Sequence, residues 1–127
     1  MCMEIKCQRI IPKDPYIKNL SEKHAIKIYA VSRQSIEENG MKCVVAFSSP
    51  NKRSVFLIEE DCDQMSEISV YCVIIHEMAH IVYNGTTDEE KCDETALFLY
   101  GKDALDIARA ETEVIINNLR SNRRKVS

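Results

Sequence analysis

Met3, Ile5 and Cys7 alternate with Glu4, Lys6 and Gln8, the period of two of a half-buried strand, and Pro12 and Pro15 close the pattern. An edge strand is predicted over residues 3–10. Over residues 21–39 the period lengthens: Ala25, Ile28, Tyr29, Ser32 and Ile36 recur at three and four, and Gly40 stands where a left-handed cap ends a helix. A first helix is expected there. Residues 43–47 and 54–60, CVVAF and SVFLIEE, are rich in β-branched and aromatic residues and flank the turn-forming stretch 48–53, so an antiparallel hairpin follows. The polar residues 61–64 read as loop. Residues 65–83 are apolar on nearly every face, as a helix at the centre of a small domain is, and Asn84-Gly85 stops it. Thr87, with Glu90 three residues on, makes a capping box for a helix that runs to about Tyr100 and breaks at Gly101. The last helix carries Leu105, Ala108, Thr112, Ile115 and Leu119 on one stripe and pairs Arg109 with Glu113 at i,i+4 on its surface.

These elements specify an α+β domain in which an N-terminal helix and a small antiparallel sheet cover two roughly antiparallel helices, with a further helix at the C-terminus. At 127 residues the chain is one domain, residues 1–127, and buries roughly two-thirds of its unfolded surface, so a site on it must be shallow and built from few elements. Seventeen basic against twenty acidic residues give a formal charge of −3, which makes the molecule no electrostatic trap for nucleic acid. The basic tail Arg120, Arg123, Arg124 and Lys125 sits favourably at a helix C-terminus without a ligand. Cys2, Cys7, Cys43, Cys62, Cys72 and Cys92 contain no C-x-x-C pair and follow no signal-peptide core. Reduced thiols in the cytoplasm are therefore expected over a disulfide framework or a cysteine metal site. The longest apolar run, 70–75, is far short of a membrane span.

Two of the three histidines lie four apart in His76-Glu77-Met78-Ala79-His80, inside the buried helix. Positions i and i+4 share a helix face, so both imidazoles reach one tetrahedral zinc ion at about 2.0–2.1 Å. Glu77, beside the first ligand, leans over the open side of the metal, where it takes the proton of a zinc-activated water that attacks a carbonyl. Apolar neighbours Val73, Ile74, Ile75, Ile81 and Val82 strengthen the reading, because two imidazoles and a carboxylate in such a helix need compensation, and a metal supplies it. A solvent-facing amphipathic helix is the plainer alternative. A catalytic zinc also needs a third protein ligand. The next helix offers Asp88, Glu89, Glu90, Asp93 and Glu94, and its geometry allows Glu89, Glu90, Asp93 or Glu94. Glu89 and Asp93, one turn apart, supply a ligand and a carboxylate to orient a histidine ring. His24 reads as a packed or surface residue, and Tyr83 and Tyr100 as core residues rather than oxyanion donors.

The stretch HEMAHIVYNGTTDEEKCDETALFLYG resembles the core of the gluzincin metallopeptidases, in particular the small ImmA/IrrE-type or minigluzincin proteins. There H-E-x-x-H precedes a helix reading roughly E-x-x-A-[DN]-x-[FY]-A. The resemblance covers about residues 42–100 and implies a zincin-like fold with Zn²⁺ as cofactor. It further implies His76, His80 and Glu89 as metal ligands, Cys92 at the small-residue position, Asp93 behind a ligating ring, Ala96 closing the motif and Glu77 as the catalytic residue. Thr95 stands where an aromatic is common, and only nine positions separate His80 from Glu89, which keeps Glu94 and Asp93 as substitutes. The expected activity is zinc-dependent peptide hydrolysis. The implied partner is a protein or peptide substrate, such as a transcriptional repressor of a mobile element, held as an added strand on the sheet edge. Neither nucleic acid nor membrane is expected as a partner. The competing readings are a non-catalytic zinc domain that binds a protein on the same scaffold, and a metal-free binding module.

Overall fold

Four short strands form one sheet: β1 (Cys7–Ile10), β2 (Lys27–Val31), β3 (Ala46–Ser49) and β4 (Ser54–Ile58), in the order β1-β2-β4-β3. Around it stand α1 (Pro15–His24), α2 (Arg33–Glu38), α3 (Glu59–Cys62), α4 (Glu67–Val82), α5 (Glu89–Tyr100) and α6 (Lys102–Val126). This is a computed structural model that describes residues 7–126, with side chains through residue 122. Residues 3–6 of the predicted edge strand, Cys2, and the side chains of Arg123, Arg124 and Lys125 lie outside the described part. No helix among the described residues is long and apolar enough to cross a membrane.

The chain is α+β as its pattern indicates, but the sheet is mixed rather than antiparallel, because β2 runs parallel to β4 while β1 and β3 run antiparallel to their neighbours. The predicted helix over 21–39 is the source of the difference. Asp14 caps α1 by accepting the Tyr16 and Ile17 N–H groups, and Pro15 occupies its first turn, where its missing donor costs nothing. At Ala25 the backbone turns left-handed (φ 53°), the Ile26 N–H donates to the Ser21 carbonyl, and the helix is closed. Ile26 and Ile28 then point the same way into the core with a period of two, so Ile28 and Tyr29, from the run whose spacing suggests one helix, lie in the inner strand β2, while Ala25 ends α1, Ser32 caps α2 and Ile36 lies within it. Ser32 caps α2 by accepting the Ser35 N–H, and Gly40 (φ 72°) ends it where a cap was expected.

The hairpin forms as predicted, with β3 and β4 joined through residues 50–53. Every residue of β4 is buried, because both its faces are covered. Val55 and Leu57 pack toward α4 and α6, whereas Phe56 and Ile58 pack with Ile36, and Phe56 stacks between Tyr29 and Phe47 at 5.4 and 4.9 Å. Strand β3 starts only at Ala46, since Val45 has φ 68° and the Ala46 N–H reaches back 2.8 Å to the Val44 carbonyl in a γ-turn that is strained for a β-branched residue. The loop expected over 61–64 is partly helical instead. Glu59–Cys62 wind into α3 and turn Asp61 inward, 2% exposed, where it pairs with Arg33 and accepts the Val45 N–H at 2.8 Å.

Helix α4 is the central helix that the apolar pattern predicts: Ile75 and Met78 are fully buried, and each such side chain contributes about 2 kcal/mol. Asn84 and Gly85, both left-handed, reverse the chain into α5. The cap of α5 is Asp88 rather than Thr87: Asp88 Oδ1 accepts the Lys91 N–H at 3.1 Å, and Glu90 is exposed outside any capping box. One residue decides this shift. Thr86 Oγ1 accepts the Asp88 N–H, which holds the chain extended one residue longer. Helix α6 buries Leu105, Ala108 and Ile115 from its predicted stripe.

Candidate metal centre

His76 and His80 lie on one face of α4, a turn apart, and their Nε2 atoms are 3.3 Å from each other. Glu89, the first residue of α5, brings Oε2 to 2.6 Å from His76 Nε2 and 3.5 Å from His80 Nε2. A tetrahedral zinc with bonds near 2.0–2.1 Å sets its ligand atoms about 3.4 Å apart, so two of the three edges already match and the third is short. The opposite ring nitrogens are also engaged. Asp93 Oδ1 lies 2.6 Å from His76 Nδ1, and the Thr86 carbonyl lies 2.7 Å from His80 Nδ1. A carbonyl only accepts, so the His80 proton belongs on Nδ1, and the carboxylate beside His76 Nδ1 makes the same assignment there. Two bare imidazole nitrogens and a carboxylate oxygen then converge. Such a group is stable only with a cation or a proton between its members, and its donor set suits a borderline divalent metal.

Glu77 stands beside this group. Its Oε2 is buried and has no hydrogen-bond partner, and burial raises its pKa against the lowering influence of His76 and His80. It lines two cavities. One, about 350 Å³, runs between Val44, Val45 and Ala46 on one wall and Leu105, Ala108 and Arg109 of α6 on the other. The second, about 250 Å³, lies on the His80 side beneath Phe47, Ser48 and Thr86. Ala46 of β3 also lines both cavities. Strand β3 is the terminal strand of the sheet, so its outer edge passes alongside the two openings.

His76, Glu77, His80, Glu89 and Asp93, singled out in the sequence, are thus brought together, with Glu89 among the imidazole nitrogens and Asp93 behind one of them. Glu94 and Glu90 are exposed and stand outside the group. His24 is half-buried at the end of α1, where its carbonyl accepts from Arg53. Tyr100 donates to Asp14 at 2.6 Å, whereas Tyr83, expected in the core, is exposed just past the end of α4 and lies under the Lys91 ammonium. Cys92, at the small-residue position, is buried beneath Glu89 and Asp93, and burial pushes its thiol up to about 11. Cys7, Cys43, Cys62, Cys72 and Cys92 are free thiols.

Two contributors escaped the sequence. The Thr86 carbonyl has no side-chain signature, because a main-chain acceptor is placed by the turn alone. The i,i+4 spacing pairs Arg109 with Glu113, yet Arg109 donates to Asp93 Oδ2 at 2.7 Å. Its neighbour Ala108 on the buried stripe was the available signal, since a residue next to that stripe lies at the edge of the α5 contact. Compared with known proteins, the chain matches no protein-family model, no curated protein and no solved structure.

Proposed function

We propose that this chain is a zinc-dependent peptidase of zincin-like architecture, with His76, His80 and Glu89 as metal ligands and Glu77 as general base. The observation that carries the reading is the pairing of three converging lone-pair donors with a buried, unpartnered carboxylate oxygen at the junction of two cavities. A zinc ion in that group supplies a Lewis acid that acidifies water and polarises a carbonyl. The remaining work belongs to the chain. Asp93 and the Thr86 carbonyl hold the two rings with Nε2 presented to the metal. The free edge of β3 takes an extended peptide by main-chain pairing, and the two cavities receive side chains on either side of the scissile bond. Glu77 accepts a proton from the attacking water as its oxygen bonds to the carbonyl carbon, and returns that proton to the amine nitrogen as the C–N bond breaks. Its Oε2, buried and without a hydrogen-bond partner, is free to take that proton. A protein substrate, such as a transcriptional repressor, suits an edge-strand site.

The test is metal analysis followed by Glu77→Gln. One equivalent of zinc should bind to both forms, and cleavage of a peptide library should fall about a hundredfold to ten-thousandfold in the variant, as loss of a general base requires. Zinc retained with cleavage unchanged would remove Glu77 from the chemistry. Zinc bound with no cleavage by either form would leave a non-catalytic zinc domain.

A further inference from the structure

Beyond the ligands and Asp93 stands a residue from a third helix. Arg109 of α6 donates through Nη2 to Asp93 Oδ2 at 2.7 Å, while Asp93 Oδ1 meets His76 Nδ1 at 2.6 Å. Each oxygen of the carboxylate therefore holds one partner, and the plane of Asp93 is fixed from both ends. Among the described ion pairs, Arg109 is the only lysine or arginine engaged by the carboxylates around the two histidines. Its backbone is set by Ala104, Leu105 and Ala108, which bury the adjoining stripe of α6. Its guanidinium lines the 350 Å³ cavity beside Glu77 and Asp93. We infer that Arg109 is a positioning residue: by orienting Asp93 it fixes the ring of His76, and so ties the C-terminal helix to the metal centre. This rests on the proposed ligand set.

Two effects of opposite sign meet at this residue, and they make the inference testable. A cation close to a metal site repels the metal, so charge alone predicts that removing Arg109 tightens binding. Orientation predicts the reverse, since outer partners of ligating histidines are typically worth tenfold or more in metal affinity. Side-chain screening favours orientation here. The Arg109 side chain is 60% exposed, so its charge is damped by water, while its hydrogen bond to a carboxylate that is itself 24% exposed stays directional.

The experiment compares Arg109→Met, Arg109→Gln and wild type. Methionine keeps much of the stem and loses both donor and charge, whereas glutamine keeps a donor without charge. Zinc affinity, measured by competition with a chromophoric chelator, should weaken about tenfold in Arg109→Met and stay within about threefold of wild type in Arg109→Gln. The melting temperatures of the metal-free proteins should agree within about 2 °C, as an exposed position implies. A metal-independent arm follows the His76 ring by nitrogen-15 NMR. A slowly exchanging Nδ1 proton should be present in metal-free wild type and Arg109→Gln, and absent from Arg109→Met. Tighter zinc binding in both variants would overturn the inference in favour of a charge effect, and unchanged affinity with an unchanged ring signal would reduce Arg109 to a surface ion pair. If wild type takes up no zinc, the metal-centre reading fails, and the ring signal alone decides whether Arg109 orients His76.

Discussion

Burial raises the pKa of the buried carboxyl and thiol groups of this molecule, with unequal chemical consequences. On Glu77 it favours the protonated form, opposed by the two imidazoles beside it. On Cys62 and Cys92 it has no such counterweight. Burial pushes Cys62 up to about 12 and Cys92 up to about 11, with neighbouring carboxylates adding to both shifts. A raised thiol pKa favours the neutral form, so the reactive thiolate becomes abundant only above those values and is lost as the pH falls below them. At pH 8 an ordinary thiol near 9 is about one-tenth ionised, whereas these two are ionised about a hundredfold to a thousandfold less. A disulfide reagent at pH 8 should therefore modify the exposed Cys7 within minutes and reach Cys62 and Cys92 only after denaturant is added. Rapid labelling of Cys92 in the native protein, located by peptide mapping, would show the floor of the metal centre to be open.

At the scale of elements, helix α5 delivers Glu89 from its first turn, so the cap that fixes that turn also fixes a proposed ligand. Asp88→Ala removes the acceptor of the Lys91 N–H and should lower unfolding stability by about 1 kcal/mol in urea titration. Thr87→Ala, at the position where the sequence suggested the cap, should change it by less than about 0.5 kcal/mol. Equal losses would return the cap to Thr87. The same comparison shows what the sequence could and could not convey. Helix α4 was legible because its apolar run is long and its stop, Asn84-Gly85, is chemically explicit. The spacing of His76, Glu77 and His80 was legible because it depends on helix geometry alone. Residues 21–39 imitate a single helix because Ala25, Ile28, Tyr29, Ser32 and Ile36 keep a helical spacing across two breaks: a left-handed turn at Ala25 that carries no glycine, and a serine cap at position 32. Parallel pairing of β2 with β4 leaves no local mark at all, since it depends on where a distant strand docks.

Across the whole molecule, the wall of the larger cavity beside Glu77 is held by an ion pair between α2 and α3. Asp61, from α3, pairs with Arg33 of α2 and accepts the N–H of Val45, the residue whose left-handed turn starts the cavity wall. Arg33 in turn donates to the Cys43 carbonyl at 2.7 Å. Three segments that are separate in sequence thus converge on one buried carboxylate, and the strain at Val45 persists because Asp61 and the Ile58 N–H hold both of its polar backbone groups. Asp61→Asn leaves a guanidinium buried without its counter-charge, which should cost about 3–5 kcal/mol, a large share of the roughly 5–15 kcal/mol typical of a domain. Replacing both partners with apolar residues, Arg33→Met with Asp61→Leu, removes the charge penalty but strands the Val45 N–H and the Cys43 carbonyl, so only part of that loss should return. The proposed metal ligands belong to α4 and α5 and share no hydrogen bond with this cluster, so zinc affinity in the folded fraction of either variant should stay within about threefold of wild type. Urea titration and zinc competition on the same samples separate the two quantities: a double variant as stable as wild type would show that Val45 needs no acceptor, and a parallel loss of zinc affinity would show that the cavity wall and the metal centre form one cooperative unit.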